Sequence, residues 1–217
     1  MNENMNENEK AILAIDCSLR KTGVAICDSS GKILAKDQQD LGRSQALELP
    51  FMAERLVKNS GVLWENISHV AVTNGPGYFT GIRVGAAYAS GLAFALGAKI
   101  LPVSSLDVLA RSFASSRDFL TLVYAGHGFA YASSENLREG EYSHDEILSW
   151  LREHDVKNII SDDPERLNLD LADLNLEILR VNPDLESLCE IACENINNAI
   201  EPTELKICYY RAPQGVF

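Results

Sequence analysis

Residues 67–97 constrain this fold more than any other stretch. They read "ISHVAVT", then "NGPGYFTGIRVG" (74–85), then "AAYASGLAFALG". A β-branched apolar run of this length suits a buried strand. The twelve residues after it hold four glycines and a proline, enough for a tight turn, and a helix opens at about Thr80. Strand, tight turn and helix in direct succession belong to layered α/β architectures. The spacing Gly75-x-Gly77-x-x-x-Gly81, with no lysine after it, is neither a triphosphatase phosphate loop nor the dinucleotide fingerprint. Two uses remain open for the turn. Free N–H groups at the helix start favour an anion, and Gly75 and Gly77 let one approach the backbone. Equally, the glycines make a tight turn and nothing more.

The helix itself adds a second constraint. Gly81, Gly85, Ala89, Ala93 and Gly97 recur every four residues and share one slowly drifting face. A glycine inside a helix costs about 1 kcal/mol relative to alanine. Close backbone approach by a neighbour is the usual compensation. That neighbour is either the chain's own domain or a partner subunit, and the spacing serves both. Read as an interface, the stripe comprises Gly81, Arg83, Gly85, Ala89, Ala93 and Gly97.

Around this centre the pattern is regular. "AILAIDCS" (11–18), "TGVAICD" (22–28) and "KILAKDQ" (32–38) read as three strands with tight connections. Residues 45–59 form a helix that Gly61 ends, with Pro50 at its first turn or a kink. "AKILPVSS" (98–105) is a strand leading into a helix at Ser104 or Ser105. The first hundred residues thus run β-β-β-α-β-α-β-α. Further on come a hairpin around Gly126 and Gly128, a capped helix over 143–155, and strands over 156–162 and 176–182. An apolar-faced helix over 184–200 and a closing strand over 204–212 end the chain. At the end of the first strand, "IDCSLRKTG" sets Asp16 beside Ser18, Thr22 and Gly23. Such a turn either places a carboxylate near a metal-bound phosphate or caps itself through Asp16.

Charge narrows the function. The net charge is −12, and residues 1–113 hold 11 acids and 11 bases whereas residues 114–217 hold 20 and 8. The second half therefore repels phosphate backbones and does not grip nucleic acid alone. Five cysteines at 17, 27, 189, 193 and 208 show no CxxC spacing and read as buried reduced thiols. "MNENMNENEK" lacks the apolar core of a signal peptide. The uncharged run from Val84 to Ala98 is short for a membrane span and suits a buried helix.

Taken together, "AILAIDCSLRKTGVAICDSSGKILA" and "VAVTNGPGYFTGIRVGAAYASGLAFALGAKILPVSSLDVLA" resemble the TsaB (YeaZ) family. Those proteins are subunits of the bacterial machinery that makes threonylcarbamoyladenosine at position 37 of tRNAs. "GPGYFTGIRVG" is similar to the family motif, with Tyr78 where serine is usual. The similarity covers residues 11 to about 113, and beyond it only the length and the closing "YYRAP" fit. The resemblance implies an α/β actin-like ATPase (ASKHA, ribonuclease H-like) fold. Two related domains are expected, each a mixed five-stranded sheet with flanking helices, the second one degenerate. The boundaries are then a disordered polar tail over 1–10, a first domain over 11–106 and an acidic second domain over 107–217.

In that superfamily ATP lies between the domains. The resemblance thus implies a vestigial phosphate site at Asp16, Ser18, Thr22, Gly23, Gly75, Gly77 and Thr80, holding Mg-ATP or Mg-ADP weakly at most. The related catalytic subunit, TsaD, carries two metal-binding histidines on its first helix. This chain has no histidine before His69 and reads "GRSQALELP" there, so no metal site is expected. Family members usually open the second domain with an acid and arginines. Here "YAGHGFAY" (124–131) sets Tyr124 at the acid and Gly126–His127 at the arginines. An aromatic there cannot hold a metal or phosphate, and His127, lacking a partner group, reads as structural. No catalytic residue is expected.

The implied function is a non-catalytic scaffold or activating subunit that binds TsaD through the helix over 80–97, with the helix over 45–59 beside it. The TsaE ATPase is a further expected partner, and the chain alone is expected to form a homodimer. tRNA is reached only through the complex, no membrane is involved, and the location is cytoplasmic. The alternative is an ATP-dependent enzyme of the same fold, a small-molecule kinase or carbamoyl transferase. A direct tRNA-binding module, using Arg20, Lys21 and Arg43, is opposed by the acidic second half.

Overall fold

The computed structural model describes residues 10–113 and 118–210. The polar tail expected over 1–10, Lys10 excepted, and the final "RAPQGVF" lie outside the described residues. The first sheet contains β1 (Ala11–Asp16), β2 (Thr22–Asp28), β3 (Ile33–Gln39), β4 (Ile67–Thr73) and β5 (Lys99–Val103), in the order β3-β2-β1-β4-β5. The three leading strands are antiparallel, and β4 and β5 run parallel to β1. The second sheet repeats this plan. Its strands β6 (Phe119–Gly126), β7 (Phe129–Ser134), β8 (Leu137–Ser143), β9 (Asn158–Ser161) and β10 (Ile178–Arg180) lie in the order β10-β9-β6-β7-β8. Again three are antiparallel and two are parallel to the first.

Central strands are buried on both faces, which is why β1 is apolar throughout. Leu13 and Ile15 join one core under α1 (Gln45–Ser60) and α2 (Phe79–Leu96). Ile12 and Ala14 join another under α6 (Leu185–Glu194). α1 turns Leu49, Met52, Ala53, Leu56 and Val57 inward, and Gly61 ends it in the left-handed region at φ +77°. α4 (His144–Glu153), over the second sheet, starts at a capping box of Ser143 and Glu146. α3 (Ser105–Phe113) lies at the seam between lobes, where Leu19, Leu106, Leu109, Phe119, Val123, Ile160 and Val181 form a shared cluster.

Four features differ from the sequence reading. β8 was not expected, because "LREGEYS" is a polar edge strand without a clean apolar alternation. α6 stops at Glu194, where Asn195 turns its side-chain amide back onto the Ile191 carbonyl. Among the described residues no closing strand follows. A short 3-10 turn, Pro202–Glu204, leads into residues 205–210, which lie in no sheet, and residues 211 and 212 fall outside the described residues. Finally, α6 packs on the first sheet, with Leu185, Leu188, Cys189 and Ala192 against Ile12, Ala25, Ala71 and Leu101. The span 107–217 thus contributes a helix to the first lobe. The five cysteines are free thiols.

Candidate functional site

A cleft of about 870 Å³ opens between the lobes. The first lobe contributes Leu19 and Arg20 from the β1–β2 turn and Gly77 to Gly81 from the glycine turn. The second contributes Tyr124 and His127 from the β6–β7 hairpin, with Asp163 and Arg166 beyond β9.

The residues expected to hold a phosphate do not converge on this cleft. Asp16 is 2% exposed, and its Oδ1 accepts from the Ser18 N–H (2.9 Å), the Ser18 hydroxyl (2.7 Å) and the Thr73 hydroxyl (2.7 Å). It closes its own turn. Ser18 and Thr22 are fully buried. The reason lies at Gly77, where a Cβ would stand 2.3 Å from the Ser18 carbonyl oxygen, while the Tyr78 N–H donates to that same oxygen at 2.7 Å. Backbone meets backbone at this point of the turn. Gly75, at φ +110°, is pressed by the Cys208 carbonyl, 2.9 Å from where its Cβ would be. Gly23 makes room for Leu185 of α6. Gly77 and Thr80 are the members of the set that reach the cleft. Within the turn, Gly75 and Gly77 thus accommodate the chain's own backbone.

The interface stripe is redistributed as well. A Cβ on Gly81 would lie 1.9 Å from the Cys17 carbonyl oxygen, and one on Gly85 would lie 3.2 Å from the Cys17 Cβ. Ala89 and Ala93 are fully buried in the core under α2. These four residues face the chain's own sheet, so packing within the domain compensates them. Gly97 ends the helix at φ +66°. Arg83 points outward, its guanidinium over the Phe79 ring at 3.5 Å and its Nε donating to the Tyr209 hydroxyl at 2.7 Å. α2 is long and apolar enough to cross a membrane by length and composition, but its inner face belongs to this core.

A second face of α2 went unnoticed in the sequence. Ala87, Gly91 and Ala95 are exposed at four-residue spacing, and nothing approaches a Cβ position on Gly91 within 4 Å. Phe94 beside them is 75% exposed; on the neighbouring α1, Leu47 is 64% and Phe51 54% exposed. An exposed mid-helix glycine has no compensation within the chain, and Leu47, Phe51 and Phe94 leave large apolar side chains in solvent on two adjacent helices.

A second buried carboxylate was missed too. Asp162, at the end of β9, is 4% exposed, and neither carboxylate oxygen has a hydrogen bond of good geometry. Burial first, then the Asp163 charge, raises its pKa from 3.8 to about 6, and Asp16 across the seam adds to the rise; the N–H groups of Asp162 itself and Arg20 offset part of it. Arg166 sits between two tyrosines from opposite lobes, 5.1 Å from the Tyr78 ring and 4.4 Å from the Tyr124 ring. Burial, then the nearby Asp162 charge, pushes the Tyr78 phenol up to about 12. The tyrosine that stands for serine and the one that stands for an acid are thus joined by a cation, an arrangement no local motif announces. Among the described residues no group of three or more His, Cys, Asp or Glu side chains is placed to hold a metal ion.

Two lobes of one strand topology, facing each other across a cleft, define the actin-like ATPase fold class. The family described as TsaD, tRNA N6-adenosine threonylcarbamoyltransferase, matches residues 40–149. TsaB of Buchnera aphidicola subsp. Schizaphis graminum is 28% identical over 65% of this chain and 65% of its own length. TsaB of Haemophilus influenzae is 33% identical over 46% of this chain and 42% of its own length. The matched parts thus fall short of two thirds of these relatives. A crystal structure from Pseudomonas aeruginosa, described as an uncharacterized protein with similarity to peptidase YEAZ, superposes with a TM-score of 0.74 at 22% identity. That match covers 93% of this chain and 100% of the other, and supports the fold. The chain belongs to this family, among its TsaB (YeaZ) members.

Proposed function

We propose that this protein is a non-catalytic, cytoplasmic subunit in the formation of threonylcarbamoyladenosine on tRNA, acting by docking on TsaD. One observation carries the reading: the outer face of α1 and α2 leaves Leu47, Phe51, Gly91 and Phe94 uncovered, while Gly75 and Gly77 are closely approached by the chain's own backbone. Relatives named TsaB and a family match named for TsaD supply the reaction. TsaD provides the nucleotide site, the metal and the transfer chemistry. Gly91 lets a partner helix come close, Phe94 flanks that contact, and Leu47 and Phe51 extend the apolar surface onto α1. Without TsaD the same face pairs with a second copy; TsaE joins the assembly, and tRNA is met through it.

Gly91→Leu is expected to weaken TsaD binding about 100-fold by filling the contact point. Its melting temperature should stay close to wild type, because leucine is a good helix former and the site is open. Co-purification with TsaD, titration calorimetry and a tRNA-modification assay read this out. Undiminished TsaD binding and modification by the variant would reject the surface. Mg-ATP is expected to give no binding heat with the isolated chain, and tight binding would favour the enzyme alternative.

A further inference from the structure

Residues 199–210 run a path that the fold does not require. Ile200 exchanges both backbone hydrogen bonds with Ile100 at the free edge of β5, each at 2.9 Å. Leu205 then packs on the core under α2. The Asn74 side-chain amide donates to the Lys206 carbonyl at 3.1 Å, and the Cys208 N–H donates to the Asn74 carbonyl at 2.8 Å. The segment can lie there only because residue 75 is glycine, since a Cβ at that position would stand 2.9 Å from the Cys208 carbonyl oxygen.

At its end two adjacent tyrosines part. Tyr209 stays on the first lobe, its hydroxyl accepting from the Arg83 Nε at 2.7 Å and its ring 5.6 Å from Phe79. Tyr210 crosses to the second lobe, where its hydroxyl donates to the Glu139 Oε1 of β8 at 2.8 Å and its ring lies 6.0 Å from Tyr131 of β7. The other oxygen of Glu139 accepts from the Ser104 hydroxyl of the first lobe at 2.7 Å. One carboxylate thus receives both an element of the first lobe and the end of the segment. Hydrogen bonds to a carboxylate are about twice as strong as neutral ones.

We propose that residues 199–210 are a strap that fixes the angle between the lobes without a ligand. The chain passes between the two sheets covalently at β5–β6 and β10–α6, and two such connections leave hinge rotation free. The strap adds a non-covalent tie through Tyr210 and Glu139. In a fold whose lobes otherwise close around a bound molecule, this protein carries its own clasp. The inference does not depend on which partner covers α2.

The test is the distance distribution between spin labels on non-natural residues replacing Lys58 of α1 and Arg152 of α4, which leaves the native cysteines untouched. Wild type is expected to give one narrow distribution. Tyr210→Phe removes only the hydroxyl and keeps the ring, so the fold persists, and the distribution is expected to broaden about twofold. Glu139→Ala removes both bonds and should broaden it further. Wild-type widths in both variants would overturn the strap. So would broadening by Glu139→Ala with none by Tyr210→Phe, which assigns the tie to Ser104 alone.

Discussion

Gly81→Ala is expected to cost about 4 kcal/mol or more, a large fraction of the total stability of a typical domain. Helix propensity alone predicts the opposite sign, since alanine replaces a first-turn glycine with a gain of at most about 1 kcal/mol. The clash decides. The added Cβ would meet the Cys17 carbonyl oxygen at 1.9 Å, and that oxygen belongs to the turn that Asp16 holds closed. Relief requires α2 to leave β1, which opens the contacts of Ala89 and Ala93, both fully buried. Gly85→Ala provides the internal control. Its Cβ would meet the Cys17 Cβ at 3.2 Å, so a small adjustment suffices and the change should lie within about 1 kcal/mol of neutral. Gly91→Ala meets nothing and should stabilise by about 1 kcal/mol. Urea midpoints at unchanged slope test all three, and a mild Gly81→Ala would show that α2 does not rest on Cys17.

Asp162→Asn is expected to stabilise the protein by about 3 kcal/mol at neutral pH, near the full value of a two-unit shift. The wild-type carboxyl ionises at 3.8 when exposed and at about 6 in the fold. Between those values the folded state holds a proton that the unfolded state has released. Stability therefore falls as pH rises through that window and stays low above it. Asparagine has no proton to lose, so wild type and variant should match near pH 4 and diverge towards pH 6.5. For a chain of this size the neutral-pH gain corresponds to a rise of about 6 to 12 °C in melting temperature. Thermal scans across pH 4 to 7.5 check it. A wild type with no such slope would mean that Asp162 is solvated or paired in solution.

Asp162 also shows what the sequence concealed. "IISDDPE" reads as a strand end followed by a capped turn, and nothing in it distinguishes Asp162 from Asp163. The difference is long-range: Asp162 turns into the seam towards Asp16 and the Arg20 backbone, while the half-buried Asp163 faces Arg180 at 3.6 Å. The strap was hidden likewise. "ELKICYYRA" has the composition of a strand, but its Cys208 N–H finds the Asn74 carbonyl instead of a ladder. β8 was lost because an edge strand carries no apolar face to betray it.

What the sequence determined by itself was the order of elements in the first lobe, the strand–turn–helix at 67–97 and the family. Those properties are local, set by periodicity and by residues such as Gly61 and Gly97 that stop a helix wherever it packs. The grouping of Gly81, Gly85, Ala89 and Ala93 on one face was equally legible. Only the tertiary structure decided what that face meets. A four-residue period specifies that small side chains lie together along a helix; it carries no information about whether a distant strand of the same chain or a separate molecule fills the space they leave.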